Sequence, residues 1–250
     1  MKEKKPSWFS RGVYSIFLFF MKIIYRKTKV EGIEKIPGKN TIIVANHAQL
    51  NGPIIAQLHM PKNCYIWANG QMAKMSDVSS YAMEDFFPYK KRWLRPLCRL
   101  ASYALAPLLV CMMNNARVIP VYHDIRLTST MRESIKKLSE GNNILIFPEK
   151  HQQRSNVINC FREHFVDLAR LYHRRTGEVL TFLPMYIAPD LKLCCVGEGI
   201  CYDPCLNIEE QRHGIAEYLA SQIEDMAGSL PEHTVVPFDN ISRKLYPRNK

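Results

Sequence analysis

The chain has 250 residues, the length of one globular domain with a substantial hydrophobic core. Its 34 Lys and Arg against 23 Asp and Glu give a net charge of +11, which favours an anionic partner such as acidic lipid, nucleic acid or an acidic carrier protein. Its eight cysteines lack the two CxxC pairs of a zinc site, and no His flanks the group Cys194, Cys195, Cys201 and Cys205. We therefore predict that the protein binds no metal and that its cysteines are the reduced thiols of a cytoplasmic protein.

Residues 1–28 predict a basic and apolar membrane-interface segment ahead of a domain over residues 29–250. The apolar stretch Val13–Tyr25 contains Lys22 and is followed by Arg26–Lys29, where a secretory signal would have a small-residue cleavage site. The stretch is shorter than the ~20 residues that span a bilayer. We therefore expect an interfacial helix lying on anionic lipid, and the alternative is a helix packed on the surface of the domain itself.

Beyond residue 29, short β-rich runs alternate with helical ones. This pattern predicts an α/β fold with a mostly parallel or mixed central sheet covered by helices. Several runs are apolar throughout, as buried central strands are. The predicted strands are Thr41–Ala45, Cys64–Ala68, Arg117–Val121, Asn143–Phe147, Leu180–Ile187 and Lys192–Val196.

A second apolar run, Leu97–Met113, carries Arg99 and Pro107 and follows a basic segment. Its length is borderline for spanning a bilayer, so we expect a core or half-inserted helix with a basic, aromatic membrane edge. The run Tyr89–Arg92 just before it is interpreted as part of that edge, and the alternative is a docking surface for an acidic carrier protein.

Capping signals and periodicity predict three helices in the second half of the chain, over residues 130–140, 158–176 and 207–227. The first opens with the capping-box spacing of Thr130 and Glu133. The second presents one apolar stripe and ends at Gly177. The tail from Pro231 onward is polar and predicts loops.

The most informative stretch runs from Thr41 to Pro53, because it leads a buried strand into Asn46 and His47 and then into a helix. Ligands of α/β sheets bind at such strand ends. A neutral imidazole there can take a proton from an alcohol that attacks a thioester, provided that another group orients the ring. His47 is therefore a candidate general base, and the alternative is a structural histidine.

Two further strands end in polar residues. One of them runs into Glu149, whose carboxylate should lie at the same sheet edge as His47, where it would bond substrate hydroxyls or orient the imidazole. The alternative for Glu149 is a solvated turn or a helix cap. The other strand precedes His123 and Arg126, which would hold a phosphate, unless this is a solvated loop with an ion pair to Asp124.

Four sequence blocks resemble, in order and separation, those of the lysophosphatidic acid acyltransferase family. They span roughly residues 30 to 190 and are Asn46-His47, the Ile-Pro-Val strand near 120, Phe147-Pro148-Glu149 and Phe182–Met185. In that family the first block is His-x-x-x-x-Asp, in which the His is the general base and the Asp supports it. The glycerol phosphate is held by an Arg of the second block and by the Phe-Pro-Glu-Gly block.

The resemblance implies a glycerolipid acyltransferase-like fold and an enzyme of phospholipid biosynthesis at the cytoplasmic face of the membrane, peripheral or monotopic. It implies transfer of a fatty acyl group from acyl-CoA or an acyl-carrier protein to a lysophospholipid or a glycerol-phosphate-like acceptor, with no cofactor beyond the co-substrate. His47 is then the base, with Asn46 and Glu149 shaping the catalytic centre. The residues implied in substrate binding are Asn51, Gly52, His123, Arg126, Phe147, Pro148 and Arg154.

Three departures from the family pattern touch the base or the acceptor. Gly52 occupies the Asp position, so the usual dyad is absent and Asn51, Gln49 or Glu149 must take the orienting role. His123 stands where the phosphate-binding Arg would fall.

In the third block, Lys150 replaces the Gly, and Arg154 comes two positions later than the family's Arg. A catalytically inactive relative that binds lipid or a partner at the membrane is therefore the main alternative. A nucleic-acid-binding protein is a weaker one, because the positive charge is dispersed and no recognition motif occurs.

Overall fold

The computed structural model describes residues 7–85, 92–122 and 124–250. His123 and most of the basic run Tyr89–Arg92, two of the sequence-based predictions, lie outside these ranges. The described helices are α1 (Trp8–Ile24), α2 (Asn51–His59), α3 (Met75–Asp85), α4 (Arg95–Asn115), α5 (Leu127–Ser139), α6 (Asp167–Thr176) and α7 (Ile208–Ser229). The described strands are β1 (Lys29–Glu31), β2 (Thr41–Ala45), β3 (Cys64–Asn69), β4 (Val118–Val121), β5 (Asn143–Ile146), β6 (Glu149–Gln153), β7 (Asn159–Phe161), β8 (Thr181–Ala188), β9 (Leu193–Val196) and β10 (Ile200–Cys201).

Eight strands form the central sheet of the described chain, in the order β1-β9-β8-β2-β5-β3-β4, with β10 added to β8. The five strands from β8 to β4 are parallel to one another, while β9 and β10 run antiparallel to β8. Strands β6 and β7 form a separate antiparallel hairpin. The predicted mixed, mostly parallel sheet is confirmed.

Strand β2 shows why the sheet is covered on both faces. Its successive side chains point in opposite directions, so Ile42 and Val44 enter one apolar cluster while Ile43 and Ala45 enter the other. All four are fully buried. The first cluster lies under α5, α6 and α7 and the second under α2, which places β2 at the centre of the fold.

The predicted helix over residues 158–176 is wrong in its first half. That part is strand β7 followed by a short 3-10 turn over Glu163–Val166, and only α6 is α-helical. The apolar stripe suggested a helix because Phe161 and Phe165 are buried, but Phe161 belongs to β7 and Phe165 to the 3-10 turn. Gly177 does end α6, in the left-handed conformation with φ 75°.

The predicted capping box at Thr130 does not form. Helix α5 begins at Leu127, and the Thr130 hydroxyl donates to the main-chain oxygen of Pro120 at 2.8 Å. This side chain therefore joins α5 to the end of β4 instead of capping the helix.

Helix α4 is long and apolar enough to cross a bilayer by length and composition, but it is not a core helix. Its buried residues are Cys98, Ser102 and Ala106. Helix α1 has no buried residue and packs against α4, where the Asn115 amide donates to the Ser10 hydroxyl at 2.6 Å. Both helices keep exposed apolar faces.

All eight cysteines are free thiols, three of them buried. Burial raises the pKa of the Cys64 and Cys194 thiols to about 12, so both remain un-ionised at neutral pH. Among the residues described above, no group of three or more His, Cys, Asp or Glu is arranged to hold a metal ion.

Candidate functional site

His47 and Glu149 meet at the carboxyl edge of the sheet, because their strands are parallel neighbours. Val44 of β2 lies opposite Ile146 of β5, so the residues that follow both strands emerge side by side. The main-chain N–H of His47 donates to Oε1 of Glu149 at 2.6 Å.

A strained turn connects β2 to α2 and carries His47. Ala48 and Gln49 both have left-handed backbone angles, with φ of 46° and 54°. Each such non-glycine residue costs about 1–3 kcal/mol, so the surrounding bonds must hold the turn in place. The Asn51 amide is one of these bonds and donates to the main-chain oxygen of Ala48 at 3.0 Å.

The half-buried imidazole of His47 lies between two aromatic rings. The Phe147 ring is 5.0 Å away between centroids and the Phe238 ring is 5.7 Å away, both in edge-on geometry. Phe147 belongs to the predicted Phe-Pro-Glu block. Phe238 comes from the C-terminal segment, which was predicted only as a polar loop.

Glu149 is buried and serves as a main-chain anchor. Its Oε1 binds the His47 N–H, and its Oε2 accepts the Asn159 N–H of β7 at 2.8 Å. Burial raises the pKa of this carboxyl to about 7, although the two N–H donors favour the carboxylate, and the negative charge of Asp239 adds to the rise. Glu149 thereby ties the end of β2 to the hairpin.

Asn46 and Asn51 fix the elements on either side of His47. Asn46 is buried and exchanges two hydrogen bonds with the main chain of Ile187 in β8, at 3.0 and 2.7 Å. Asn51 accepts the Tyr25 hydroxyl at 2.8 Å, which joins the end of α1 to the start of α2. Both side-chain amides therefore fix the backbone around His47.

The space that an Asp side chain would need at position 52 is filled. A Cβ atom on Gly52 would lie 2.2 Å from the main-chain oxygen of His47 and 3.0 Å from the Phe147 ring. The first neighbour is backbone and cannot move aside without displacing His47. The turn is therefore built around a glycine at position 52.

We expect Gly52→Asp to destabilise the protein by about 2–3 kcal/mol, because the new side chain overpacks the turn. It should also fail to raise any activity of the protein. The measurement is chemical denaturation, with Gly214→Asp as a matched control, since a Cβ on Gly214 of α7 meets no atom within 4 Å. Equal stability of the two variants would contradict the steric account.

The predicted phosphate-binding arginines are engaged elsewhere. Arg126 forms a two-pronged pair with Asp124, with bonds of 3.0 and 2.6 Å. Arg126 follows β4, and β4 lies three strand spacings, or about 14 Å, from β2. Arg154 binds Glu217 at 2.6 and 2.5 Å and Glu224 at 3.1 Å, both on α7. The described chain thus gathers the residues around His47 but not these two cations.

Pro148, the last predicted substrate-binding residue, is buried. Its main-chain oxygen accepts the Arg162 N–H at 2.8 Å. This hydrogen bond extends the pairing of β6 with β7 beyond the first residue of β6.

The C-terminal segment adds site residues that sequence reasoning missed. Phe238 covers the His47 ring, and the main-chain oxygen of the next residue, Asp239, accepts the Gln49 amide at 3.1 Å. Tyr246 donates to the other end of the same amide at 3.0 Å. The signals available in this tail were its two aromatic residues and the apolar pair Val235-Val236, the first of which is buried.

The two best-formed cavities of the described residues measure about 560 and 420 Å³, and neither is lined by His47. The larger lies between α5 and α6, and the smaller lies beside β9 and α7. The Phe238 ring of the C-terminal segment packs edge-on against the half-buried imidazole of His47.

Comparisons with known proteins agree on the family and the fold. The sequence profile described as Acyltransferase matches residues 27–189, which is well over half of the chain. The crystal structure of the 1-acyl-sn-glycerophosphate (LPA) acyltransferase PlsC from Thermotoga maritima is similar, with a TM-score of 0.52 and 16% identity over 89% of this chain and 83% of that one. No curated protein gives a significant sequence match. Because the family profile matches well over half of the chain, including His47 and Glu149, we conclude that this chain belongs to the acyltransferase family.

Proposed function

We propose that the protein transfers a fatty acyl group from a thioester donor, acyl-CoA or an acyl-carrier protein, to a hydroxyl of a lysophospholipid or a glycerol-phosphate-like acceptor. The observation that supports this most is the position of His47. It stands at the end of a central strand, inside the family-matched region, next to the Glu149 of the Phe-Pro-Glu block. This would place the enzyme in phospholipid biosynthesis.

The proposed chemistry uses His47 as the general base. Its imidazole takes the proton of the acceptor hydroxyl while the hydroxyl oxygen attacks the thioester carbonyl. The tetrahedral intermediate then collapses, the C–S bond breaks, and the ester and a thiol are formed. Glu149 contributes by holding the His47 main chain, and packing between Phe147 and Phe238 orients the ring in place of the missing Asp.

The two arginines differ in their capacity to bind an anionic acceptor. The Arg126–Asp124 pair is exposed, with side-chain accessibilities of 41% and 48%, and such pairs contribute at most about 1 kcal/mol. The pair with Asp124 therefore does not prevent Arg126 from binding a phosphate, although the strand that precedes it, β4, lies about 14 Å from β2. Arg154 is less exposed and is shared by Glu217 and Glu224, so we assign it a structural role.

We also propose that α1 and α4 hold the protein on the cytoplasmic face of an anionic membrane. The exposed apolar side chains of α1 lie beside exposed basic ones such as Lys22 and Arg26. Helix α4 adds Leu97 and Leu100, which are 64% and 67% exposed. Apolar faces of this kind with basic flanks are typical of monotopic membrane binding.

We expect the double variant Phe19→Ser, Phe20→Ser to bind anionic vesicles at least about tenfold more weakly, since a buried Phe side chain contributes about 1.5–3 kcal/mol. Both rings are exposed, at 61% and 55%, so the fold should be unaffected. Vesicle co-sedimentation measures the change. Leu206→Ser is the control, because Leu206 is 57% exposed and lies outside these helices. Equal binding by both variants would contradict the proposed membrane face.

The function is tested with the purified protein, anionic vesicles containing a lysophospholipid, and acyl-CoA or acyl-carrier protein as donor. We expect thiol release that matches ester formation one for one. Vesicle or acyl-chain binding without thioester cleavage from any donor would favour the inactive lipid-binding relative. Salt-sensitive binding to DNA but not to vesicles would favour the nucleic-acid alternative.

A further inference from the structure

His151, a second histidine at this edge of the sheet, is paired with a carboxylate. Position 52 is a glycine and cannot supply a carboxylate to His47. The ring nitrogen Nδ1 of His151, in β6, lies 2.5 Å from Oδ1 of Asp239. The His151 side chain is 76% exposed, so the outer part of its ring faces solvent. A carboxylate on Nδ1 orients an imidazole and stabilises it when it carries a positive charge.

Asp239 is itself held from two directions. Its second carboxylate oxygen accepts the Asn159 side-chain amide at 3.0 Å, and its main-chain oxygen accepts the Gln49 amide at 3.1 Å. An ordinary exposed ion pair has no such support, and its geometry is free to vary. The pairing of Asp239 with His151 is therefore fixed by both the hairpin and the turn that carries His47.

The two histidines share one aromatic neighbour and differ in surroundings. The Phe238 ring lies 5.7 Å from the His47 ring and 4.9 Å from the His151 ring. His47 lies between two apolar rings, whereas His151 has a carboxylate on one side and solvent on the other.

We propose that His151, oriented by Asp239, is a second catalytic residue and acts as the general acid for the leaving thiol. This rests on the proposed acyl transfer. His47 takes the hydroxyl proton during attack. When the C–S bond breaks, its electron pair goes to sulfur, and sulfur takes a proton from the outer nitrogen of the His151 imidazolium. His47 then releases its proton to solvent, and His151 regains one.

Donors with different leaving groups test this assignment. The thiol of an alkyl thioester such as acyl-CoA resembles cysteine, with a pKa of ~8.5, so its departure benefits from a proton at neutral pH. The thiolate of an aryl thioester is far less basic and leaves without one. His151→Ala should therefore lower kcat about a hundredfold with the alkyl donor and change it little with the aryl donor.

Asp239→Asn should show the same donor dependence, because it removes the charge that supports the His151 imidazolium. A purely structural role of Asp239 would lower both rates together. His213→Ala is the matched control, since His213 is 73% exposed and pairs with Glu163 at 3.2 Å, outside the site. It should leave both rates unchanged.

The outcomes separate the two proposals. Loss confined to the alkyl donor in both site variants supports the assignment. Equal loss with both donors, or no loss, overturns the acid role of His151 while the unmodified protein remains an acyltransferase. No transfer from either donor by the unmodified protein overturns the proposed function and this inference with it.

Discussion

Replacing His47 by Ala is expected to lower acyl transfer with every thioester donor by about a thousandfold, because a general base contributes about 10²–10⁴ to the rate. The Glu149 anchor should survive, since it uses the main-chain N–H of residue 47, which alanine retains. The imidazole is half-buried, so the fold should also survive. The measurement is kcat for ester formation, with circular dichroism as the check on folding.

The control for this variant is His173→Ala. His173 is a half-buried histidine of α6 whose ring bonds the main-chain oxygen of Glu178 at 3.2 Å, away from the sheet edge. It should transfer acyl groups at the unmodified rate. Near-normal activity in the folded His47 variant would exclude His47 as the base, whatever the control shows.

Replacing Glu149 by Gln is expected to lower activity about a hundredfold, because the main chain of His47 loses its anchor. Both carboxylate oxygens accept main-chain N–H groups, and an amide can accept only one of them while its NH₂ group opposes the other. The His47 main chain then moves from its place. Glu232→Gln is the control, because Glu232 is an exposed partner of Arg248.

The same variant has a testable pH dependence. The pKa of Glu149 is about 7 in the folded protein against 4.5 for the free group, so the folded state holds a proton that the unfolded chain releases. This contribution to stability is complete below pH 4.5 and is lost as the pH rises to about 7, by up to about 3 kcal/mol. The unmodified protein should lose stability over this range relative to Glu149→Gln. A constant difference between the two proteins would contradict the assignment.

The features that the sequence predicted are those with a regular pattern. Strand β2 is apolar throughout because both of its faces are buried, and its predicted bounds agree with the structure. The meeting of His47 and Glu149 follows from the rule that parallel strands end at one edge, which needs only the strand assignment.

The missed features depend on contacts between distant parts of the chain. Asp239 bonds Gln49 across 190 residues, and no local pattern marks such a contact. Arg154 was predicted to meet the acceptor, but its partners on α7 lie 63 and 70 residues away. The sequence marks Gly52 only as a departure from the family pattern, whereas the fold places a Cβ atom at this position in collision with the His47 backbone.

The most direct measurement is a structure of the protein with a lysophospholipid acceptor and a non-cleavable thioether analogue of the donor. We expect the Phe238 ring to move aside and the acceptor hydroxyl to lie about 3 Å from a His47 ring nitrogen, facing the analogue's carbonyl carbon. An acceptor bound elsewhere, with the His47 ring still closed between Phe147 and Phe238, would contradict the account.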